Sequence, residues 1–169
     1  AYLRVPLFLA GIAFLIGTFR CARSNGRGTM IAIGVMMVLF FQAARLALVA
    51  FDPYLSSRPL AEALLRSPSG KLIVDHHYYT FSSIAWYTGR NELLLNGRWN
   101  NFEYGSNAPD VPDVFLDDAK LAQLWRQPQR YYLVAKDDQI PRFDSLLGAS
   151  HVQQLLSSGG KVLLTNHAE

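Results

Sequence analysis

Cysteine and charged residues are scarce in this chain of 169 residues. Its single cysteine, Cys21, has no partner for an intrachain disulfide, which excludes a disulfide-stapled miniprotein. Charged side chains make up 17% of the residues, whereas roughly 25% is usual for soluble domains. Twelve glycines and eight prolines are too few for collagen or for a disordered tail. The composition indicates a folded chain with an unusually apolar part.

The charge is divided unevenly along the chain. Residues 1–70 contain seven arginines and two acidic residues, whereas residues 71–169 contain nine basic and eleven acidic residues. Nucleic-acid binding requires a basic surface on the folded domain, whereas the second part carries a net charge of −2 (nine basic minus eleven acidic residues). We therefore predict no nucleic-acid partner and a composite chain.

Two apolar runs in the first part, domain 1–52, predict two transmembrane helices at about residues 2–19 and 29–51. The second run would form about 34 Å of helix, more than the roughly 30 Å of a hydrocarbon core. The first run reaches a similar length only if Arg4 extends its charged end to the membrane surface. The lipid bilayer is an expected partner.

The turn between these runs contains Arg20, Arg23 and Arg27 and no acidic residue. Short arginine-rich loops stay in the cytoplasm, so the rest of the chain should lie on the extracytoplasmic side. A signal peptide fits less well, because the first run lacks a small-residue cleavage site. Since two helices alone bury little surface, we expect them to belong to a larger bundle upstream of Ala1.

The remaining residues predict a membrane-surface segment with a linker, 53–70, and a small α/β sandwich, 71–169, with a mostly parallel sheet. Predicted strands at 71–75, 92–96 and 130–136 alternate with helices at 78–88 and after Asp117. This alternation is typical of parallel βαβ units. A C-terminal β-hairpin is predicted to end the domain.

Polar residues follow three of the predicted strands, and ligands collect beyond the carboxyl ends of parallel strands. The segment 97–112 is the leading candidate, because long loops without a periodic pattern are often functional. It combines aromatic rings with amide, guanidinium and carboxylate groups, which suit the apolar faces and hydroxyl rims of sugars. The alternative is a structural Ω-loop. The candidate substrate-binding residues are Arg45, Arg58, His76, His77, Arg98, Trp99, Asn100, Asn101, Glu103 and Tyr104.

Two of these candidates lie in or near the second apolar run. Arg45 lies six residues, or about 9 Å of helix, before the outer end of that run. It either extends to the headgroups or faces a cavity and binds an anionic lipid phosphate. Arg58 follows the run and is the second candidate phosphate ligand.

No catalytic residue, metal site or cofactor is predicted within the chain. The adjacent His76 and His77 would diverge by about 100° on a helix, and no other His or Cys has ligand spacing nearby. Helix capping and a solvated turn explain the paired aspartates at 117–118 and 137–138. The sequence has neither a G-x-S-x-G elbow nor a glycine-rich phosphate loop after a strand.

Five phrases of the sequence are SSRP, LIVDHHYYTFSSIAWYTGRNELLLNGRWNNFEYGS, VFLDDAKLAQLW, RYYLVA and GGKVLLTN. They resemble the C-terminal region of bacterial membrane glycosyltransferases related to protein O-mannosyltransferases and to the aminoarabinose transferase of lipid A. The most specific is LNGRWNNFEYGS, residues 95–106.

This resemblance implies part of a multi-span GT-C enzyme of the bacterial inner (plasma) membrane. Such enzymes transfer a sugar from a polyprenyl-phosphate carrier on the extracytoplasmic side. The donor lipid and the upstream transmembrane bundle of the same protein would be the partners. The family's catalytic acid, and any cation it uses, lie in a first extracytoplasmic loop that nothing in residues 1–169 matches, so we expect this fragment alone to be inactive.

Two other interpretations stay open. One is a membrane-anchored, non-enzymatic α/β domain that binds a glycan or a partner protein. The other is a structural subunit of a larger membrane complex.

Overall fold

The structure is a computed structural model that describes residues 4–23, 26–76 and 78–167. The chain divides into two compact units, Ala1–Asp52 and Pro53–Glu169.

The first unit is a pair of helices, α1 (Arg4–Arg23) and α2 (Arg27–Leu55), of which α2 continues into the second unit. Small residues let the two helices approach closely. A β-carbon placed on Gly17 would lie 2.6 Å from Met36 Sδ. The rings of Phe14 and Phe40 meet edge to face with their centroids 5.3 Å apart. Most other large apolar side chains of the pair are exposed, a surface that is unusual unless lipid or protein covers it.

The prediction of two transmembrane helices needs a correction. Within the described residues, only α2 is long and apolar enough to cross a membrane, and its 29 residues reach about 43 Å. Helix α1 carries Arg4 at one end and Arg20 and Arg23 at the other. Its uncharged stretch, residues 5–19, reaches about 22 Å, which is short of a hydrocarbon core of roughly 30 Å.

The second unit is built on a six-stranded mixed sheet with the order β3-β2-β1-β4-β6-β5. The strands are β1 (Lys71–Asp75), β2 (Glu92–Leu95), β3 (Phe115–Leu116), β4 (Tyr131–Lys136), β5 (Gln153–Ser158) and β6 (Lys161–Thr165). The first four strands are mutually parallel, and β6 and β5 continue the sheet as an antiparallel hairpin. The mostly parallel sheet and the C-terminal hairpin are as predicted.

Helices cover both faces of this sheet, which is why β1 and β4 are nearly continuous apolar runs. The helices of this unit are α3 (Arg58–Arg66), α4 (Tyr78–Thr88), α5 (Phe102–Gly105), α6 (Asp118–Trp125) and α7 (Ile140–Phe143). Leu64 of α3 and Ile84 of α4 belong to the core on one face. Leu121 of α6 and Phe143 of α7 belong to the core on the other.

Ser57, the residue before α3, ties α3 to α4. It is fully buried. Its backbone N–H donates to Ser83 Oγ at 2.8 Å, and its hydroxyl donates to the Thr80 carbonyl oxygen at 3.3 Å. The Ser83 hydroxyl and the Thr80 backbone carbonyl of α4 thus satisfy polar groups at the start of α3, where the first N–H groups of a helix have no partner within the helix.

Ser83→Ala should lower the free energy of unfolding by about 1–3 kcal/mol, because it leaves the buried Ser57 N–H without its acceptor. Chemical unfolding of the detergent-solubilised protein measures this loss. Ser82→Ala is the matched control, since the Ser82 hydroxyl donates within its own helix to the Tyr79 carbonyl oxygen. Equal losses in the two variants would contradict a special role for Ser83.

Glu92, at the start of β2, is a buried acid. Neither carboxylate oxygen has a hydrogen-bond partner among the described residues. Burial raises the pKa of Glu92 to about 7, and the nearby Ala85 backbone offsets only part of this rise. The folded state therefore binds the Glu92 proton more tightly than the unfolded chain does.

The pKa of Glu92 rises from 4.5 to about 7 on folding. The stability that the protonated Glu92 contributes should therefore be lost as the pH rises through this interval. Glu92→Gln removes the ionisation. It should be more stable than the parent protein at pH 8, and the advantage should shrink towards pH 5. Thermal unfolding at both pH values measures this difference. Glu103→Gln, at an exposed position, is the control, and an equal pH-dependent gain there would contradict the assignment.

Candidate binding site

The carboxyl ends of β1, β2 and β4 meet at one edge of the sheet, as the predicted parallel arrangement requires. The chain turns sharply there, and His76, Asn96 and Asn100 have φ angles of 56°, 50° and 58°. Asparagine tolerates this left-handed conformation better than most residues do. The His76 N–H donates to the Leu95 carbonyl at 2.8 Å, and the Asn96 N–H to the Leu116 carbonyl at 2.8 Å. The turns are therefore fixed by hydrogen bonds between neighbouring strand ends.

A polar network lies at this edge and is centred on Arg142. Its Nη1 donates to Asp75 Oδ1 at 3.2 Å and its Nη2 donates to Asp118 Oδ1. Asn96 Nδ2 donates to the same Asp118 oxygen at 2.9 Å. Asp75 is only 4% exposed, and the Arg142 side chain is 32% exposed. The network joins the ends of β1 and β2 to the first residue of α6 and to α7.

The charges in this network support one another. Burial raises the pKa of Asp75, and the Arg142 guanidinium opposes that rise. Burial alone would lower the pKa of Arg142, but the hydrogen bonds and charges of Asp118 and Asp75 raise it overall. Arg142 therefore stays charged, and it bonds both carboxylates. This arrangement suits positioning better than proton transfer.

Two aromatic rings lie next to the network. The His76 and Trp99 rings stack with their centroids 5.9 Å apart and their planes at 28°. Trp99 is 47% exposed, so this pair offers a ring surface to a ligand. The Arg98 guanidinium lies 5.1 Å from the centre of the Phe115 ring and lines an open cavity of about 320 Å³ with Ser106 and Asn107.

The rest of the segment 97–112 is partly packed on the domain. Asn101 Nδ2 donates to the Tyr79 hydroxyl at 2.9 Å, and the Tyr79 and Phe102 rings stack at 6.4 Å. The Glu103 carbonyl oxygen accepts from Asn107 Nδ2 at 2.9 Å. Tyr104, by contrast, is 86% exposed. The segment thus combines features of the predicted Ω-loop with exposed groups that are available for binding.

The other predicted site residues lie elsewhere. Arg58 forms an ion pair with Glu62 on the exposed side of α3, with Nε and Oε1 2.8 Å apart. Arg45 belongs to α2 in the first unit. His77 lies outside the described residues. Binding of a lipid phosphate by Arg45 and Arg58 stays a prediction.

Sequence reasoning missed Arg142, and Asn96 was not selected as a site residue. Asp118 was interpreted only as part of a helix cap. The cap is Asp117, whose Oδ1 accepts from the Lys120 N–H at 2.7 Å, whereas Asp118 bonds Arg142. Asp118 lies two residues after β3, a strand too short to be predicted from the sequence, so no local signal identified it. Residues 4–23, 26–76 and 78–167 contain no cluster of three His, Cys, Asp or Glu residues that could hold a metal ion.

Arg142→Met should destabilise the protein by roughly 3 kcal/mol, because it leaves the buried Asp75 carboxylate without its counter-charge. Lys120→Met is the matched control. It also removes a cation from an aspartate, but the Lys120 and Asp113 side chains are 43% and 84% exposed, so the expected loss is below about 1 kcal/mol. Denaturant unfolding of both variants measures the two losses, and comparable values would contradict the central role of Arg142.

No protein-family model matches this sequence, and no curated protein matches it. Two crystal structures of ArnT from Cupriavidus metallidurans have a similar fold. The structure bound to undecaprenyl phosphate has a TM-score of 0.70 and 17% identity, over 99% of this chain and 31% of the ArnT chain. The apo structure has a TM-score of 0.63 and 15% identity, over 99% of this chain and 30% of the other. The chain spans less than a third of the length of ArnT and has the fold of that part of it.

Proposed function

We propose that this chain is part of an integral-membrane GT-C glycosyltransferase that moves a sugar from a polyprenyl-phosphate carrier to an extracytoplasmic acceptor, whether lipid, glycan or protein. The observation that carries the proposal is the shared fold with ArnT, over 99% of this chain. ArnT is the lipid A aminoarabinose transferase, a GT-C enzyme. Phrases such as LNGRWNNFEYGS resemble the same group of enzymes, which supports the proposal.

The proposed location is a bacterial inner membrane with the α/β unit on the extracytoplasmic side. Helix α2 supplies a candidate span. Arg20 and Arg23 lie in the last turn of α1, and Arg27 begins α2. Arginines near the end of a span favour the cytoplasmic side for that end. The opposite end of α2, from which the α/β unit follows, would then face outwards.

The proposed reaction is a direct displacement at the anomeric carbon of the donor sugar. An acidic residue in another part of a longer protein would take the proton of the acceptor hydroxyl. The acceptor oxygen then bonds to the anomeric carbon as the bond to the carrier phosphate breaks, and the phosphate leaves with the bonding electrons. Cationic groups near the outer membrane surface would stabilise this leaving charge, and Arg45 and Arg58 are the candidates in this chain.

The α/β unit is proposed to bind the donor or acceptor sugar at the carboxyl edge of its parallel strands. The stacked His76 and Trp99 rings would contact the C–H face of a sugar. Hydroxyl groups of the sugar would hydrogen-bond to the polar groups of the segment 97–112, namely Arg98, Asn100, Asn101 and Glu103. The network around Arg142 would position this edge without touching the sugar.

The test uses the full natural protein in lipid vesicles with polyprenyl-phosphate sugars extracted from the host's own membranes. We expect acceptor-dependent release of polyprenyl phosphate. Trp99→Ala should raise KM about two- to tenfold, since an aromatic contact contributes about 0.5–1.5 kcal/mol, and Trp99→Phe should restore most of the loss. An unchanged KM in Trp99→Ala would contradict the proposal that the carboxyl edge of the sheet binds the substrate.

The same assay distinguishes the transferase proposal from the alternative, a membrane-anchored domain that only binds a glycan or a partner protein. A natural chain that binds glycans or a partner protein, yet releases no polyprenyl phosphate with any acceptor fraction, would contradict the transferase and favour the non-enzymatic alternative.

A further inference from the structure

Helix α4 exposes large aromatic side chains on the outer side of the α/β unit. Trp86 is 83% exposed, Tyr79 54% and Tyr87 46%. Tyr79 and Trp86 are seven residues apart, so they lie on the same side of the helix, and Ser82 lies between them. We refer to Tyr79, Trp86 and Tyr87 as the α4 aromatic face.

The composition of this region matches that of a bilayer interface. Helix α4 contains no charged residue. The neighbouring α3 exposes Leu65 at 55%, together with the side chains of Arg58 and Arg66 at 59% and 79%. Trp and Tyr concentrate at the headgroup level of membranes because their rings are apolar and their N–H and O–H groups are polar. Arg58 and Arg66 each form an ion pair with Glu62, and exposed arginines at such a surface also attract anionic lipids.

Chain connectivity keeps α4 close to the end of α2. Only Ser56 and Ser57 separate Leu55, the last residue of α2, from Arg58, the first residue of α3. The three residue steps from Leu55 to Arg58 span at most about 11 Å between Cα atoms. The Ser56 carbonyl oxygen accepts from Lys161 Nζ at 3.2 Å, and Ser57 bonds Ser83 and Thr80 of α4. Both connecting residues are thus fixed to the α/β unit, and the second is fixed to α4 itself.

We propose that the α4 aromatic face inserts into the headgroup region of the leaflet in which α2 ends, so that the α/β unit lies on the phospholipid surface. The proposal rests on α2 crossing the membrane, as the proposed function also does. Docking would fix the candidate binding segment at the same surface. Tyr79 belongs to the aromatic face and also accepts the hydrogen bond from Asn101.

The depth of single spin labels in the membrane tests this proposal. The full natural protein, with its own cysteines replaced, is placed in vesicles of phosphatidylcholine and phosphatidylglycerol. A label at Ser82→Cys leaves all three aromatic residues in place, and it should lie about 5–10 Å deep, with more access to oxygen than to a water-soluble nickel complex. A label at Ala119→Cys is the control, because Ala119 is exposed on α6 across the sheet, and it should be accessible to the nickel complex.

A third label, at Val38→Cys on the exposed surface of α2, separates the two ways in which the proposal can fail. If the Val38 label lies in lipid but the Ser82 label is in water, membrane docking of α4 is overturned and the transferase proposal survives. If the Ser82 label is shielded from both oxygen and the nickel complex, protein covers the face, which also overturns lipid docking. A Val38 label in water would overturn both docking and the membrane location of the transferase.

Native tryptophan fluorescence provides a second readout without spin labels. Lipids that carry a quencher near the headgroup should quench part of the emission, and Trp86→Phe should reduce that part. Trp125→Phe is the control, because Trp125 is buried in the core on the opposite face of the sheet, and it should leave the quenched part unchanged. An equal quenched part in Trp86→Phe and in the parent protein would overturn the assignment.

Discussion

A single guanidinium, that of Arg142, bonds the two carboxylates that the fold brings together at the end of its parallel strands. Asp75 ends the buried strand β1, and Asp118 begins α6. Without a shared cation these acids would face each other in a partly buried setting, which disfavours charge on both. The turns at His76 and Asn96 have positive φ angles, which cost free energy in non-glycine residues and persist only where surrounding contacts hold them. With Arg142 between the two acids, the network supplies such contacts. The geometry of the candidate site depends on this interaction.

The two buried acids of the α/β unit show how environment decides chemical role. Asp75 and Glu92 both have raised pKa values because of burial. Asp75 has Arg142 as a partner, whereas the Glu92 carboxylate oxygens have none among the described residues. Asp75 is therefore held by a hydrogen-bonded counter-charge at the carboxyl edge of the sheet. Glu92 lies at the other end of the parallel strands, and it tunes stability with pH without touching that edge.

Local patterns were enough to predict most elements of the α/β unit, but not the contacts between them. The apolar run of β1, the helical spacing in α4 and the Asp117 cap are each visible within a few residues, and parallel strands then require a common carboxyl edge. Arg142 lies in a short helix, and its partner Asp75 is 67 residues away, so no local pattern links them.

The two-residue β3 is too short for a periodic signal. For α1, the apolar run suggested a span because Arg4 was assumed to extend its charged end to the membrane surface, yet the uncharged stretch of the helix is too short.

The segment 97–112 is attached to the sheet and to α4, and this determines which of its side chains are available to a ligand. Arg98 lies over Phe115 next to the sheet, and Asn101 bonds Tyr79 of α4. Trp99 lies between these attachments and stacks on His76 while remaining half exposed. A loop ordered in this way before a ligand arrives loses little conformational entropy on binding. In the proposed sugar complex, the aromatic and amide groups of the segment would therefore contribute to affinity even though each single contact is weak.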